Sequence, residues 1–186
     1  MEARSSTLRV VSLLASCTDI VCSLQLQHLL VGRSHECEGD SVEHLPVCTS
    51  SKIEANDGDM SSADVDAASG ASRTALWGAA FGGMAPKALL LEYGLGCFRT
   101  DMVMLRELRP DVVLTQVQEC EGAISRLEME ADLAECLGNK NLKVVHSDPQ
   151  TLQEVWKDMQ AIADSLQAPQ KGRDVLLGLQ ERIKTA

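Results

Sequence analysis

Two apolar runs constrain the fold of this chain more than any other feature of its sequence. Leu8–Leu14 is rich in Leu and Val, and Asp111–Thr115 contains Val-Val-Leu at its centre. Continuous apolar runs of about four to eight residues are typical of parallel strands that are buried on both faces. We therefore expect both runs to be central strands of a mostly parallel sheet.

Helical patterns separate these runs from shorter apolar segments. Two further strands are predicted at Leu29–Gly32 and Leu142–His146, with another candidate at Pro46–Thr49. A helix is predicted after the first strand, where Ser16 and Thr18 offer caps, and four more are predicted over 101–108, 124–137, 149–166 and 172–184. This alternation predicts an α/β fold, a single Rossmann-like lobe whose mostly parallel sheet is flanked by helices.

The clearest amphipathic helix is the one predicted over residues 149–166. Its apolar positions recur at helical spacing, and we expect them to face the core: Leu152, Val155, Trp156, Met159, Ile162 and Leu166. The domain prediction is one lobe over residues 8–168, with a variable insertion at about 57–93, followed by a C-terminal linker helix over 169–186. In this prediction a second lobe is absent.

Composition excludes several classes of function. The formal net charge of -10 argues against a nucleic-acid partner, because phosphate binding requires clustered Lys and Arg. No apolar run approaches the roughly 20 residues that span a bilayer, and the seven irregularly spaced cysteines do not suggest a disulfide framework. Residues 1–7 are too short for a signal peptide before the first strand. We expect an intracellular, cytoplasmic protein with reduced thiols.

Parallel α/β sheets bind ligands beyond the carboxyl ends of their strands, so we expect the candidate site at that edge of the sheet. The loops there are rich in hydroxyl groups and carry one Arg and one His. They cover residues 15–18, 33–36, 115–118 and 147–149. Such a rim suits a ligand that carries amide, carboxylate or phosphate groups.

Three segments resemble the first lobe of bacterial cobalamin and iron-chelate binding proteins, the solute-binding proteins of ABC transporters. They are Arg9–Asp19, Leu105–Gln116 and, most specifically, Val31-Gly32-Arg33-Ser34-His35-Glu36-Cys37. The resemblance implies non-enzymatic binding of a cobalamin-like corrinoid or a related metal chelate. Carried onto this sequence, it implies the ligand-binding residues Ser16, Thr18, Arg33, Ser34, His35, Glu36, Thr115 and Gln116.

In that family a long helix leads to a second lobe, and the ligand is clamped between the two. The chain has one lobe, so an alternative is a protein-protein interaction module without a ligand. Its C-terminal helix would then be the surface for a homodimer or a second-lobe partner.

Other readings of single residues remain open or are weaker. His35 is either an axial metal ligand or a hydrogen-bonded loop residue. A metal site is disfavoured because the spacing of the nearest nitrogen and sulfur donors matches no compact zinc pattern: His35, Cys37, His44 and Cys48. A small hydrolase or transferase would need Cys17, Cys120 or His35 as a reactive group, and no nucleophile-and-base pair accompanies them. The glycines at 78–83 lack the Lys of a phosphate-binding loop.

Overall fold

The structure is a computed structural model that describes residues 7–51, 91–92, 94–96, 98–116 and 126–185. The predicted loop over 54–74, the glycines at 78–83 and Cys120 lie outside these residues, as does most of the predicted insertion at 57–93. Its elements in chain order are β1 (Val10–Ser12), α1 (Ala15–Ser23), a 3-10 turn (Gln27–Leu29), β2 (Leu30–Gly32), β3 (Thr49–Ser50), β4 (Arg99–Thr100), α2 (Met102–Leu108), β5 (Val112–Thr115), α3 (Arg126–Leu137), β6 (Lys143–His146), α4 (Leu152–Ser165) and α5 (Pro169–Thr185).

A four-stranded parallel sheet in the order β2-β1-β5-β6 forms the centre of the lobe. Val10 and Val11 of β1 lie opposite Val112 and Val113 of β5. A second, antiparallel pair joins β3 to β4. The prediction of a mostly parallel sheet flanked by helices is therefore confirmed, and the strands are one to four residues shorter than the apolar runs suggested.

The core lies on both faces of this sheet, as continuous apolar strands require. Val10 and Leu114 face one cluster, which includes Val21 of α1 and Ile162 of α4. The alternate residues of the same strands face a second cluster under α2 and α3, and these are Val11, Leu13 and Val113. Because successive side chains point to opposite faces, one short strand supplies both layers.

Capping residues close in sequence explain several of the helix ends. Asp101 caps α2, its carboxylate accepting from the Met104 N–H at 2.9 Å. Gly138 follows the last residue of α3 at a φ of +64°, a conformation that glycine adopts without strain. Thr151 and Glu154 form a capping box at the start of α4. The backbone N–H of Gln150 donates to Glu154, and this bond is the main cause that lowers the pKa of the Glu154 carboxyl.

Two sequence predictions are wrong in detail. Ser16 and Thr18 do not cap α1: the chain turns at Leu13 and Leu14, so the helix begins at Ala15 with Leu14 at the cap position and both hydroxyls inside its first turn. The final helix begins at Pro169, which is the first residue of the predicted linker helix over 169–186 and lies three residues before the start at 172 that its apolar pattern indicated. Proline is favoured at a first helical position, because its φ is already helical and its missing N–H has no helical acceptor there.

The apolar stripe of α4 is only partly core, which corrects a third prediction. Met159, Ile162 and Leu166 are buried, whereas Leu152 is 50% exposed and Trp156 is half-buried. The first turn of α4 follows the end of β6, so it lies at the rim of the sheet rather than over its centre. None of the helices in the described residues is long and apolar enough to cross a membrane.

Candidate functional site

The carboxyl ends of all four parallel strands lie along one edge of the sheet. From β1 the chain passes to β2 on one side, and β5 and β6 lie on the other side. The two directions diverge between β1 and β5, which is where open α/β sheets form their ligand crevice. The predicted site residues follow β1, β2 and β5 at this edge.

A cluster of hydroxyl groups supports His35 in the loop after β2. The Thr49 hydroxyl lies 2.9 Å from Ser34 Oγ and 2.7 Å from His35 Nδ1, and it also accepts from the His35 backbone N–H at 3.0 Å. The His35 ring packs edge-on against Phe98, with centroids 4.5 Å apart. Its Nε2 lies 3.2 Å from the exposed carboxylate of Glu36. His35 is thus held in place from three sides.

Arg33 holds the loop rather than facing solvent. Its guanidinium donates to the carbonyl of Ser34 at 3.1 Å and to that of Cys37 at 3.0 Å, and it reaches the Glu43 carbonyl at 3.5 Å. Its Nε is buried and has no hydrogen-bond partner within the described residues. The predicted ligand-binding arginine is therefore a clamp that fixes the shape of the loop on which His35 and Glu36 lie.

Thr115 and Gln116 continue the edge after β5. Thr115 is fully buried, and its hydroxyl donates to the Leu95 carbonyl. A Cβ added at Gly96 would lie 3.1 Å from that hydroxyl oxygen, so the segment 94–96 closely covers the end of β5. Gln116 is half-buried, and its amide donates to Asp148 at 2.8 Å in the loop after β6. Gln116 rather than Thr115 presents polar atoms at the edge.

The eight predicted residues divide into two groups of different role. Thr18 is buried, with its hydroxyl 3.0 Å from Cys37 Sγ, and this contact joins α1 to the loop after β2. The inward-facing group comprises Thr18, Ser34 and Thr115. The half-buried Arg33, which fixes the loop, belongs to the same group. The group with solvent-accessible polar side chains comprises Ser16, His35, Glu36 and Gln116.

Several polar residues of this edge were not among the eight predicted ligand-binding residues. His146, the last residue of β6, lies opposite Thr115, and its Nε2 is 2.8 Å from Glu130 of α3. Ser147 donates to Asp158 of α4 at 2.9 Å. His146 could have been found, because it ends a strand predicted with the correct boundary. Asp148 lies in the predicted strand-end loop 147–149, but its contact with Gln116 could not be predicted, because it joins loops that are 32 residues apart.

Two thiols near this edge are buried, those of Cys17 and Cys48. Burial raises the pKa of Cys17 to about 12, although hydrogen bonds with Ser147 and Ser16 oppose the rise. Burial likewise raises the pKa of Cys48 to about 12. A nucleophilic cysteine requires a thiolate, so neither supports covalent chemistry. Among the described residues no group of three His, Cys, Asp or Glu side chains could hold a metal ion.

A cleft of about 500 Å³ lies beside the β3–β4 pair. Its lining residues are Ser50, Glu92, Arg99, Thr100, Asp101, Met102 and Val103. Thr100 pairs in register with Thr49, which contacts His35. The cleft therefore adjoins the hydroxyl cluster, and its volume is in the range of small-molecule sites.

Solved structures share this fold. The periplasmic heme binding protein HutB of Vibrio cholerae matches with a TM-score of 0.56 at 15% identity, covering 97% of this chain and 49% of that protein. A protein described as a possible iron-binding (periplasmic solute-binding) protein from Staphylococcus epidermidis matches with a TM-score of 0.54 at 14% identity, covering 95% and 49%. An ABC transporter substrate-binding protein from Listeria monocytogenes matches with a TM-score of 0.51 at 14% identity, covering 97% and 48%.

Sequence comparison adds no closer relative: no protein-family profile and no curated protein matches the chain. The chain spans about half the length of the solved proteins that it matches. It has the fold of one lobe of a solute-binding protein of the ABC-transporter type.

Proposed function

We propose that this chain binds a metal chelate at the carboxyl edge of its sheet, without performing chemistry on it. The observation that carries the proposal is the fold: the solved proteins that share it include ones described as iron-binding and heme-binding. The polar strand-end residues support a ligand that is held by hydrogen bonds. The protonated thiol of Cys17 gives an enzymatic alternative no support.

The ligand class is an iron chelate, haem or a cobalamin-like corrinoid. The matching structures favour the first two, and the resemblance of residues 31–37 to cobalamin-binding relatives favours the third. The division into a lobe over 8–168 and a linker helix over 169–186 remains a prediction. Function inside the cell also remains a prediction, which rests on the odd number and irregular spacing of the cysteines.

The experiment is isothermal titration of the purified chain with haemin, ferrichrome, cyanocobalamin and hydroxocobalamin. We expect one of these to bind saturably and Arg33→Ala to weaken it by about tenfold or more, because the loop carbonyls lose a charged hydrogen-bond donor. Arg173→Ala on α5 is the matched control, since within the described residues the hydrogen bonds of its guanidinium go only to the Gln170 side chain. Circular dichroism would establish that each variant folds.

Equal affinities of the Arg33 and Arg173 variants would contradict the proposed location of the site. Gln116→Ala provides a second probe of the same edge if the Arg33 variant does not fold. It removes one amide at the end of β5, and we expect weaker binding with an unchanged circular dichroism spectrum. Absence of binding for all four chelates to the folded chain would reject the function itself.

Exposed apolar residues on α5 favour a second candidate function, an interaction module. Leu177 is 59% exposed and Ile183 is 54% exposed. Partner interfaces bury large apolar side chains that are exposed in the free chain. Sedimentation velocity would test self-association: a dimer that Leu177→Glu dissociates would support this function, and a monomer across the concentration range would argue against a homodimer.

A further inference from the structure

The protonation of the His35 ring can be worked out from the hydrogen bonds around it. Nδ1 lies 2.7 Å from the Thr49 hydroxyl, and Nε2 lies 3.2 Å from Glu36 Oε1. The Nδ1 distance alone fits either neutral tautomer, because a hydroxyl both donates and accepts, whereas the Glu36 carboxylate only accepts and favours a proton on Nε2. The neighbouring Ser34 hydroxyl decides between them.

Ser34 has a single acceptor for its proton. Its side chain is fully buried, and within the described residues its oxygen has two partners. One is the backbone N–H of Glu36, which donates to it at 3.3 Å. The other is the Thr49 hydroxyl at 2.9 Å. Since the first partner is a donor, the Ser34 proton is satisfied only by donation to Thr49.

Thr49 must then donate to His35. Its oxygen has two lone pairs, one of which accepts from the His35 backbone N–H at 3.0 Å and the other from Ser34. The Thr49 proton therefore points to Nδ1, which is an acceptor and carries no proton. The neutral ring carries its proton on Nε2, directed at the Glu36 carboxylate.

We propose that His35 is a specificity-determining residue that donates a hydrogen bond from Nε2 to the periphery of the chelate and does not coordinate its metal. The proposal rests on the proposed function for the identity of the ligand class. Nδ1 is covered by Thr49. Coordination through Nε2 would require the proton to move to Nδ1, which reverses the hydroxyl chain and leaves the buried Ser34 proton without an acceptor.

The chemistry of the preferred ligand follows from this donor. A chelate with a complete coordination sphere and peripheral oxygen acceptors fits, whereas one that needs an axial imidazole does not. Glu36 is exposed and occupies the position that a ligand acceptor would take at Nε2. Because its negative charge stays nearby after displacement, a neutral amide oxygen is favoured over a carboxylate.

The tautomer can be measured on the ligand-free protein. Two-bond nitrogen-proton correlation spectra at a pH where the ring is neutral distinguish a protonated from an unprotonated ring nitrogen. The spectrum of His35→Gln assigns the signals. We expect Nε2 of wild-type His35 to be protonated and Nδ1 to be unprotonated. A proton on Nδ1 overturns the proposal, and this result needs only the wild-type chain.

Thr49→Val tests the cause of the tautomer. It removes the hydroxyl that connects Ser34 to the ring, so the population with Nδ1 protonated should rise. Ser50→Ala changes the exposed neighbour in the same strand and should leave the ratio unchanged. An unchanged ratio in a folded Thr49→Val variant would mean that the hydroxyl chain does not set the tautomer, and would refute the argument.

A chelate-binding experiment distinguishes failure of this proposal from failure of the proposed function. For hydroxocobalamin or haemin bound to the wild type, we expect an absorption spectrum without imidazole ligation, and His35→Gln should weaken binding by about tenfold. An imidazole spectrum that His35→Gln abolishes overturns the proposal while the function stands. If no chelate binds, the function fails, and the nitrogen spectra still decide the tautomer.

Discussion

The docking of α5 onto α4 can be tested with two glycines of the same helix. Gly172 is buried, and a Cβ added there would lie 2.6 Å from Ala163 Cβ on α4. Gly178 has open space around the same position. The same substitution, glycine to alanine, therefore meets a packed interface at one site and solvent at the other. The comparison tests whether the two helices pack as closely in solution as in the structure.

Helix propensity and helix packing have opposite effects on the free energy of unfolding when glycine is replaced by alanine. Alanine is favoured over glycine in a helix by about 1 kcal/mol. Gly178→Ala should raise the free energy of unfolding by about that amount. Gly172→Ala gains the same term, and the forced separation of the helices costs about 1–3 kcal/mol. Because the helix term is common to both variants, their difference isolates the packing term, about 1–3 kcal/mol in favour of Gly178→Ala.

Urea unfolding at 25 °C, followed by far-ultraviolet circular dichroism, measures both free energies. In thermal unfolding the same difference corresponds to about 2–4 °C per kcal/mol for a chain of this size. Ala163→Gly combined with Gly172→Ala completes a double-mutant cycle, in which relief of the contact should appear as a coupling energy of about 1–3 kcal/mol. If Gly172→Ala stabilises the chain as much as Gly178→Ala, the close packing of α4 and α5 is refuted.

Four further predictions follow from local features. Arg109→Gly should stabilise the chain by about 0.5–1 kcal/mol in thermal unfolding, because its φ of +46° is strained for any residue but glycine, and Arg109→Lys should have no effect. Thr151→Ala should cost about 1 kcal/mol by removing the helix cap. Backbone hydrogen bonds at the helix start lower the pKa of Glu154. The stabilising contribution of its carboxylate is therefore complete above the ordinary Glu pKa of about 4.3 and is lost as pH falls through the lower folded value. Glu154→Gln should make the free energy of unfolding less dependent on pH in that range. At pH 8 iodoacetamide should modify the half-buried Cys22 before Cys17, whose pKa is raised to about 12 by burial; equal rates by mass spectrometry would contradict this order.

The position of the candidate site follows from the sheet, whereas its chemistry follows from loop contacts. The parallel strands bring residues 16, 33–36 and 116 to one edge. At that edge Arg33 fixes the loop that carries His35 and Glu36. A substitution of Arg33 therefore tests loop shape as well as direct contact with a ligand. Gln116 is the cleaner probe, because within the described residues the hydrogen bond of its side chain goes only to Asp148.

The sequence by itself determined the fold class and most of the element order. Asp111–Thr115 could be read as a buried strand, because a continuous apolar run in an α/β chain is typical of a parallel strand that is buried on both faces. Asp101 and Gly138 could be read as the ends of helices, since capping depends on residues one to four positions apart. Apolar runs and helix caps each involve only a few neighbouring residues, so a single stretch of chain contains the whole pattern.

Only the tertiary structure decided which polar side chains are accessible at the sheet edge and which support the loops. Thr115 was predicted to bind the ligand, but its hydroxyl donates to the carbonyl of Leu95, 20 residues away. Thr49 was not singled out, yet it controls the ring of His35 from 14 residues away. The physical reason is that a hydrogen bond depends on distance and direction between two groups. When the partners come from separate loops, the sequence gives the donors and acceptors, and the packed chain determines which of them meet.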